Sequence, residues 1–388
     1  IGYLRQNRNR YIATWETNLP SNDSRSKSFG FMHKTTREFG PAKVIIGLDF
    51  ERTYGETHYE QLFDYVPSGW GSSVAQGNIY DYDVKYHAIS PYIQTTWNIS
   101  PQFVAKAGLR YDYNQFDYSN NSGDGQYGSS NYYRPSDGKN SFEHYSPKLS
   151  LSYYPQETME IYVRYANGFR IPSATRLYSQ QRTTGQTTFK LDDEITNTYE
   201  IGCKKIFSKC SVDLVLYHMD IRDTITQRTD AVTGDRYYEN GGTSLHNGLE
   251  LSIQQNFLDI FSTKFSYSYS KIKFHDDREF AYNNMAAVPR HKGNVRFFLT
   301  PNEKLTIMAE GQFISSYWMD NENENKYTGY TIGNIKADYK LNSSCMLFMK
   351  LNNIANKRYA ESATFSYGEE RYTPGAPRQL FGGVDFTF

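Results

Sequence analysis

Eleven residues in polar, Tyr/Gly/Asn-rich stretches carry side chains suited to gripping a bulky ligand: Trp70, Tyr132, Tyr133, Arg176, Tyr178, Arg182, Tyr237, Tyr238, Trp318, Tyr367 and Arg371. Arginine presents a fixed fork of donors to a carboxylate, while tyrosine and tryptophan add flat, rigid contact area. Such chemistry is recognition rather than bond making. For catalysis the chain offers no nucleophile elbow, no metal-protease helix and no phosphate loop. Its carboxylates are plentiful, but Glu250, Glu310, Asp338 and Asp385 read as a polar wall, not as an acid–base pair. No catalytic residue, metal site or cofactor is expected.

The elements that position these residues must come from a polar but aromatic chain. Among 388 residues there are 42 basic and 42 acidic side chains, giving zero net charge, with 35 Tyr, 24 Phe and 4 Trp. Mean hydropathy is −0.71, and no run approaches the roughly 18 apolar residues of a spanning helix. Zero charge without a basic block argues against nucleic acid, and the aromatic content argues against disorder. The start at Ile1 lacks a charged segment followed by an apolar stretch, so a mature or truncated product is expected. Three cysteines make no disulfide framework. Cys203 and Cys210 flank a short turn, which leaves open either a cross-hairpin disulfide or two small buried residues.

Period-two alternation runs along the whole chain, as in Phe265-Ser-Tyr267-Ser-Tyr269-Ser and Leu305-Thr-Ile307-Met-Ala309-Glu-Gly311-Gln-Phe313. Successive strand residues face opposite sides, so each segment has an apolar and a polar face. The fold class is all-β. Seven short connections, near 40, 100, 155, 208, 258, 301 and 342, alternate with longer ones near 17–25, 56–81, 117–141, 170–193, 228–242, 276–289, 316–328 and 356–377. Sorting of this kind fits a transmembrane antiparallel β-barrel with short periplasmic turns and long extracellular loops, and the count is 16 strands. All eleven ligand-gripping candidates are then extracellular. Tyr111, Tyr113, Tyr153, Tyr165, Phe313, Tyr317 and Trp318 are expected in interfacial girdles. The ending Val384-Asp-Phe386-Thr-Phe388 reads as a closing strand and resembles the assembly signal of outer-membrane barrels.

Five blocks carry a family resemblance. They are Ala166-Asn-Gly168-Phe169-Arg170-Ile171-Pro172-Ser173 with Arg176-Leu-Tyr178; Leu191-Asp-Asp-Glu194 with Tyr199-Glu200-Ile-Gly202; and Asn240-Gly241-Gly242-Thr243 with Asn247-Gly248-Leu249-Glu250. Leu351-Asn352-Asn353-Ile354-Ala355-Asn356-Lys357-Arg358-Tyr359 and Pro374-Gly375-Ala376-Pro377-Arg378 complete the set. In this order they resemble the TonB-dependent outer-membrane receptors, clearly from about residue 140 onward. The resemblance implies energised uptake of a scarce iron chelate, a ferric siderophore foremost, across the outer membrane of a Gram-negative bacterium. It also implies coupling to the TonB–ExbB–ExbD system through a plug domain, with outer-membrane lipid and lipopolysaccharide around the wall. Arg170 and Pro172 belong to the family block and read as structural. The family barrel has about 22 strands around a plugged lumen. Residues 1–388 therefore read as one barrel domain, the C-terminal part of the receptor barrel, with the plug absent and Ile1 on the periplasmic side.

Other readings follow from the same features. Haem receptors of the family place a His between the blocks corresponding to Pro172 and Leu191, where this chain has none; His58, His144 and His275 are the remaining haem candidates, and cobalamin is a further ligand. Negative ferric chelates suit Arg176 and Arg182. A self-contained 16-stranded porin is the alternative from another class, and it requires the first and last strands to pair. An outer-membrane protease or lipase lacks a matching acid–base set, and an adhesin or phage-docking role rests only on the long loops.

Overall fold

The structure is a computed structural model. It describes residues 1–14, 18–68, 73–130, 132–178, 180–181, 191–229, 236–366 and 368–387. Trp70, Arg182, Tyr367 and Phe388 lie outside the described residues.

Sixteen antiparallel strands form one sheet in chain order, as the alternation requires. They are β1 Gly2–Ile12, β2 Ser21–Phe39, β3 Ala42–Gln61, β4 Gly77–Ser100, β5 Phe103–Asn120, β6 Gly138–Gln156, β7 Met159–Arg170 and β8 Glu194–Ile206. The series continues with β9 Cys210–Arg222, β10 Ser244–Leu258, β11 Phe261–Phe274, β12 His291–Asn302, β13 Leu305–Ile314, β14 Tyr330–Asn342, β15 Cys345–Asn352 and β16 Gln379–Phe386. Tight turns link even strands to the odd strands that follow, and every odd strand leads into a long loop. Crossing the hydrocarbon layer takes about 9–11 tilted residues. β2 to β6 contain 19, 20, 24, 18 and 19, so on this side the wall rises well past the membrane. The porin alternative required β1 to pair with β16. Among the described residues β1 pairs with β2 and β16 with β15, so that expectation is not met.

The two faces have the polarity of a barrel in lipid. Ile46, Trp97, Leu149, Ile201 and Met349 point outward and are exposed. Phe103 stacks on Tyr153 near the short-turn end, and Tyr165 packs against Tyr199 higher on the wall. Inward side chains neutralise one another. Arg110 bonds Asp49 at 2.6 Å and Asp112 at 2.8 Å. Glu310 accepts from Arg296 at 2.7 Å and from Asn294 and Asn334 at 2.9 Å each. Pairing matters because a lone charge against a low-dielectric wall carries a desolvation cost.

Many of the excess aromatics lie flat on this inner wall. Tyr92, Tyr162 and Tyr217 each cover the glycine directly across the ladder, Gly47, Gly202 and Gly248. A Cβ at any of these glycines would overlap the ring, so only glycine lets the tyrosine lie against the sheet. Gly47→Val is expected to destabilise the barrel by about 1–3 kcal/mol through overpacking. Urea unfolding checks this, with Tyr92→Ser in the same chain restoring the loss; an unrestored double variant would point to backbone strain instead.

The buried apolar core sits at the long-loop end. Ile79, Tyr80, Tyr82, Val84, Phe116, Tyr118, Tyr132, Phe142, Leu177 and Tyr178 form it with neighbouring residues. Here the inner faces of β4, β5 and β6 meet loops folded in over them. A smaller cluster joins Tyr317, Met319, Ala360 and Ala363. Tyr317, expected in a girdle, is thus loop core at 7% exposure. The choice left open for the cysteines is also decided. Cys203 lies opposite Leu214 in the ladder and all three cysteines are free, because the turn between β8 and β9 sets Ile206, not Cys203, beside the start of β9.

Candidate functional site

The eight long loops form a crown in which the described parts brace one another. Asn18 donates to Gln61 at 2.9 Å, tying the loop after β1 to the end of β3. Tyr127 donates its hydroxyl to the Ala75 carbonyl at 3.0 Å. Arg134 spends its guanidinium on the carbonyls of Ile79 (2.7 Å), Ser122 (3.0 Å) and Asn78, while it covers the Tyr127 ring. A three-stranded patch pairs Gly125–Gln126, Tyr132–Arg134 and Gln180–Gln181, so the loops after β5 and β7 share backbone bonds.

The candidate residues divide between packing and accessible positions. Tyr132 and Tyr178 are buried, at 4% and 5% exposure. Tyr178 stacks on Tyr118 at 4.2 Å and donates to Asn140 at 2.7 Å. Its burial beside Asp117 pushes the phenol up from its usual range. Tyr133 is half-buried. The short helix α1, Ala174–Tyr178, presents Arg176 over the ring of Tyr238 at 5.0 Å. Tyr237, next along the chain, accepts from Arg278 at 2.9 Å. Tyr133, Arg176, Tyr178, Tyr237 and Tyr238 therefore belong to one connected region. Trp318 lies elsewhere, beneath the Lys326 ammonium at 5.1 Å, and Arg371 is exposed on the hairpin Ala360–Ser366/Glu369–Pro374.

Several residues that organise the crown were visible as motif members but not as partners. Glu194, 3% exposed, pairs with Arg170 across the ladder and accepts from the Ile225 N–H at 2.7 Å. Asn240 accepts from the Asp192 N–H and donates to the carbonyls of Asp192 and Asp223. Asn353 is fully buried and links the loop after β15 to Ala376 before β16. One cluster had no sequence signal. Arg228, with 1% of its side chain exposed, bonds Asp277 at 2.6 Å and Glu239 and Glu279 at 3.0 Å. Burial pushes the Asp277 carboxyl up, but the Arg228 guanidinium and the N–H groups of Phe280 and Glu279 outweigh it and hold the carboxyl below its usual range.

That depressed value gives a pH prediction. The stabilisation is present in full above about pH 5, where the unfolded carboxyl is already ionised. It is lost as pH falls through the lower native value, because protonating Asp277 removes the partner of a buried cation. Protection factors in residues 275–290, which are corrected for the intrinsic slowing of amide exchange by acid, should drop in that acidic window, and Asp277→Asn should abolish that drop. Equal dependence in both proteins would refute the assignment.

The histidines considered for haem are engaged elsewhere: His58 with Asp81 at 3.1 Å, His144 with Asn167 at 2.6 Å, and His275 against the Tyr282 ring. Among the described residues no group of three or more His, Cys, Asp or Glu side chains is placed to hold a metal.

The architecture matches a known family. Residues 2–354 match the model of the TonB dependent receptor-like β-barrel. The chain belongs to the TonB-dependent receptor β-barrel family. It is an outer-membrane barrel. Over 321 residues it is 23% identical to a probable TonB-dependent siderophore receptor, PiuA, of Acinetobacter baumannii, covering 79% of this chain and 42% of that protein. Over 371 residues it is 22% identical to the ferrioxamine receptor of Yersinia enterocolitica, covering 89% of this chain and 48% of that one. Its fold superposes on the ferric yersiniabactin uptake receptor FyuA of Yersinia pestis with a TM-score of 0.79 at 14% identity, over 100% of this chain and 58% of that one. The chain thus spans about half the length of the curated relatives it matches.

Proposed function

We propose that residues 1–388 are a single barrel domain of an outer-membrane receptor that takes up a scarce iron chelate, foremost a ferric siderophore, by TonB-energised transport. The observation that carries this is the membership of a TonB-dependent receptor barrel, joined to a crown bearing Tyr and Arg pairs. Named relatives bind iron complexes, which supports the ligand class. Tyr133, Arg176, Tyr237 and Tyr238 would contact the chelate, with Tyr132 and Tyr178 holding the surface beneath them. Trp70, Arg182, Trp318, Tyr367 and Arg371 complete the proposed set. The partners are the iron chelate, TonB–ExbB–ExbD acting through a plug, and the lipid and lipopolysaccharide of the membrane. Catalysis has no place in this reading.

Uptake of radiolabelled iron tests it in an iron-starved strain whose only receptor is the full-length protein. Trihydroxamate, catecholate and citrate complexes serve as probes. Uptake of at least one, abolished without TonB, is expected; uptake indifferent to TonB would overturn the energised mechanism. Arg176→Ala with Arg182→Ala should weaken uptake of the accepted chelate.

A further inference from the structure

The loop between β9 and β10 carries a hairpin, Ile225–Thr229 paired with Arg236–Asn240, whose two faces are bonded to different neighbours. On one face, Ile225 is buried in the aromatic core with Leu177 and Leu191, Tyr238 packs on that core beneath Arg176, and Asn240 bonds Asp192. On the other, Arg228 bonds Asp277 and Glu279 and covers the Phe280 ring at 5.2 Å, while Arg278 reaches back to Glu239 at 3.0 Å and Tyr237 at 2.9 Å. One face is welded by packing and the other by charge.

Beyond the charged face, polar ties continue around the crown. Asn323 accepts from Asn284 and donates back to its carbonyl, joining residues 275–290 to 315–329. The Ala363 N–H donates to the Tyr317 hydroxyl at 2.9 Å, joining the next loop. The hairpin is therefore the seam between two halves of the crown, the loops around the larger aromatic core and the loops reached through residues 275–290. A buried guanidinium with three carboxylate partners suits such a place. Apolar packing tolerates sliding, whereas a planar fork is satisfied in one geometry, and buried ionic groups can specify register more than they add stability.

We infer that Arg228 is the positioning residue of the crown, holding the Tyr237–Tyr238 hairpin in register with residues 275–290. The Tyr237–Tyr238 hairpin then keeps a fixed position relative to the loops that carry Trp318 and Arg371. The role in ligand capture rests on the proposed function; the register itself does not.

The test uses the full-length receptor with its natural cysteines replaced by serine. Spin labels at Ser129→Cys and Glu322→Cys, exposed positions on opposite sides of the seam, report the inter-half distance. A narrow distribution is expected with Arg228 present, a broad one for Arg228→Met, and partial recovery for Arg228→Lys. Heat-modifiable migration confirms that each barrel is folded, and a variant barrel that fails this check is replaced by Asp277→Asn. An unchanged distribution in a folded variant overturns the inference. Uptake of the three ferric probes gives the second readout. For an accepted probe, half-saturation should rise about tenfold with the maximal rate retained. Broadening without that shift confines Arg228 to crown structure and overturns its part in capture. If the unaltered receptor accepts no probe, the chelate reading fails while the distance measurement still decides the register.

Discussion

Asn353→Ala is expected to destabilise the loop end of the barrel by about 3–5 kcal/mol, from unsatisfied buried hydrogen-bonding groups plus left-handed strain. Asn353 follows β15 with φ of +47°, a conformation asparagine tolerates and alanine resists. Its side chain accepts from the Lys357 N–H at 2.9 Å and donates to the carbonyls of Lys357 at 2.9 Å and Ala376 at 3.0 Å. Its own N–H donates to Asn334 at 2.9 Å, so the residue joins β14, β15 and the approach to β16. Being fully buried, it holds these bonds away from bulk solvent. Urea unfolding of the full-length receptor gives the size of the loss, and hydrogen exchange should place it in residues 353–378. Asn353→Gly separates the causes, since glycine keeps the left-handed backbone and should recover about 1 kcal/mol relative to alanine. A loss below that single increment would mean the bonds are dispensable.

The second large effect is expected at Arg170. Glu194 is 3% exposed, and removing Arg170 takes away its charge partner while the Ile225 N–H still donates to it from a neighbouring loop. Breaking a buried pair from one side costs about 3–5 kcal/mol, with the lower end expected here because Arg170 itself is largely solvated. Arg170→Ala should therefore loosen residues 171–193 and 223–243 together. Glu194→Gln added to the same chain removes the stranded charge yet still accepts from Ile225, so it should restore most of the stability. The double variant, measured by the same unfolding transition, decides the matter: no recovery would show that the guanidinium acts by packing rather than by charge.

These two residues also show how much was legible beforehand. Arg170, Glu194, Asn240 and Asn353 all stand in the five family-like blocks, and the structure makes their pairings explicit: Arg170 faces Glu194 across one rung, and Asn240 reaches Asp192. The seven short and eight long connections were readable because turn chemistry and alternation are local. By contrast, the spacing of Cys203 and Cys210 left a cross-hairpin pair open, and only the turn register, which puts Leu214 opposite Cys203, decided it. Arg228 and Asp277 carried no signal, being separated by another strand pair and joined only when two loops fold toward each other.

The sequence by itself determined the wall. Period-two polarity, loop parity and the strand count follow from backbone geometry, in which each residue's face is set by its neighbour's. The tertiary structure decided the crown. Whether Tyr178 is buried or Arg371 exposed depends on loops anchored to different strand pairs, and their contacts are packing and charge between segments far apart in the chain. Local periodicity has no term for those distances. The same tyrosine spacing therefore yields a lumen-facing ring over Gly47, a lipid-facing ring at Tyr199 and a core residue at Tyr118, according to what the fold brings across from it.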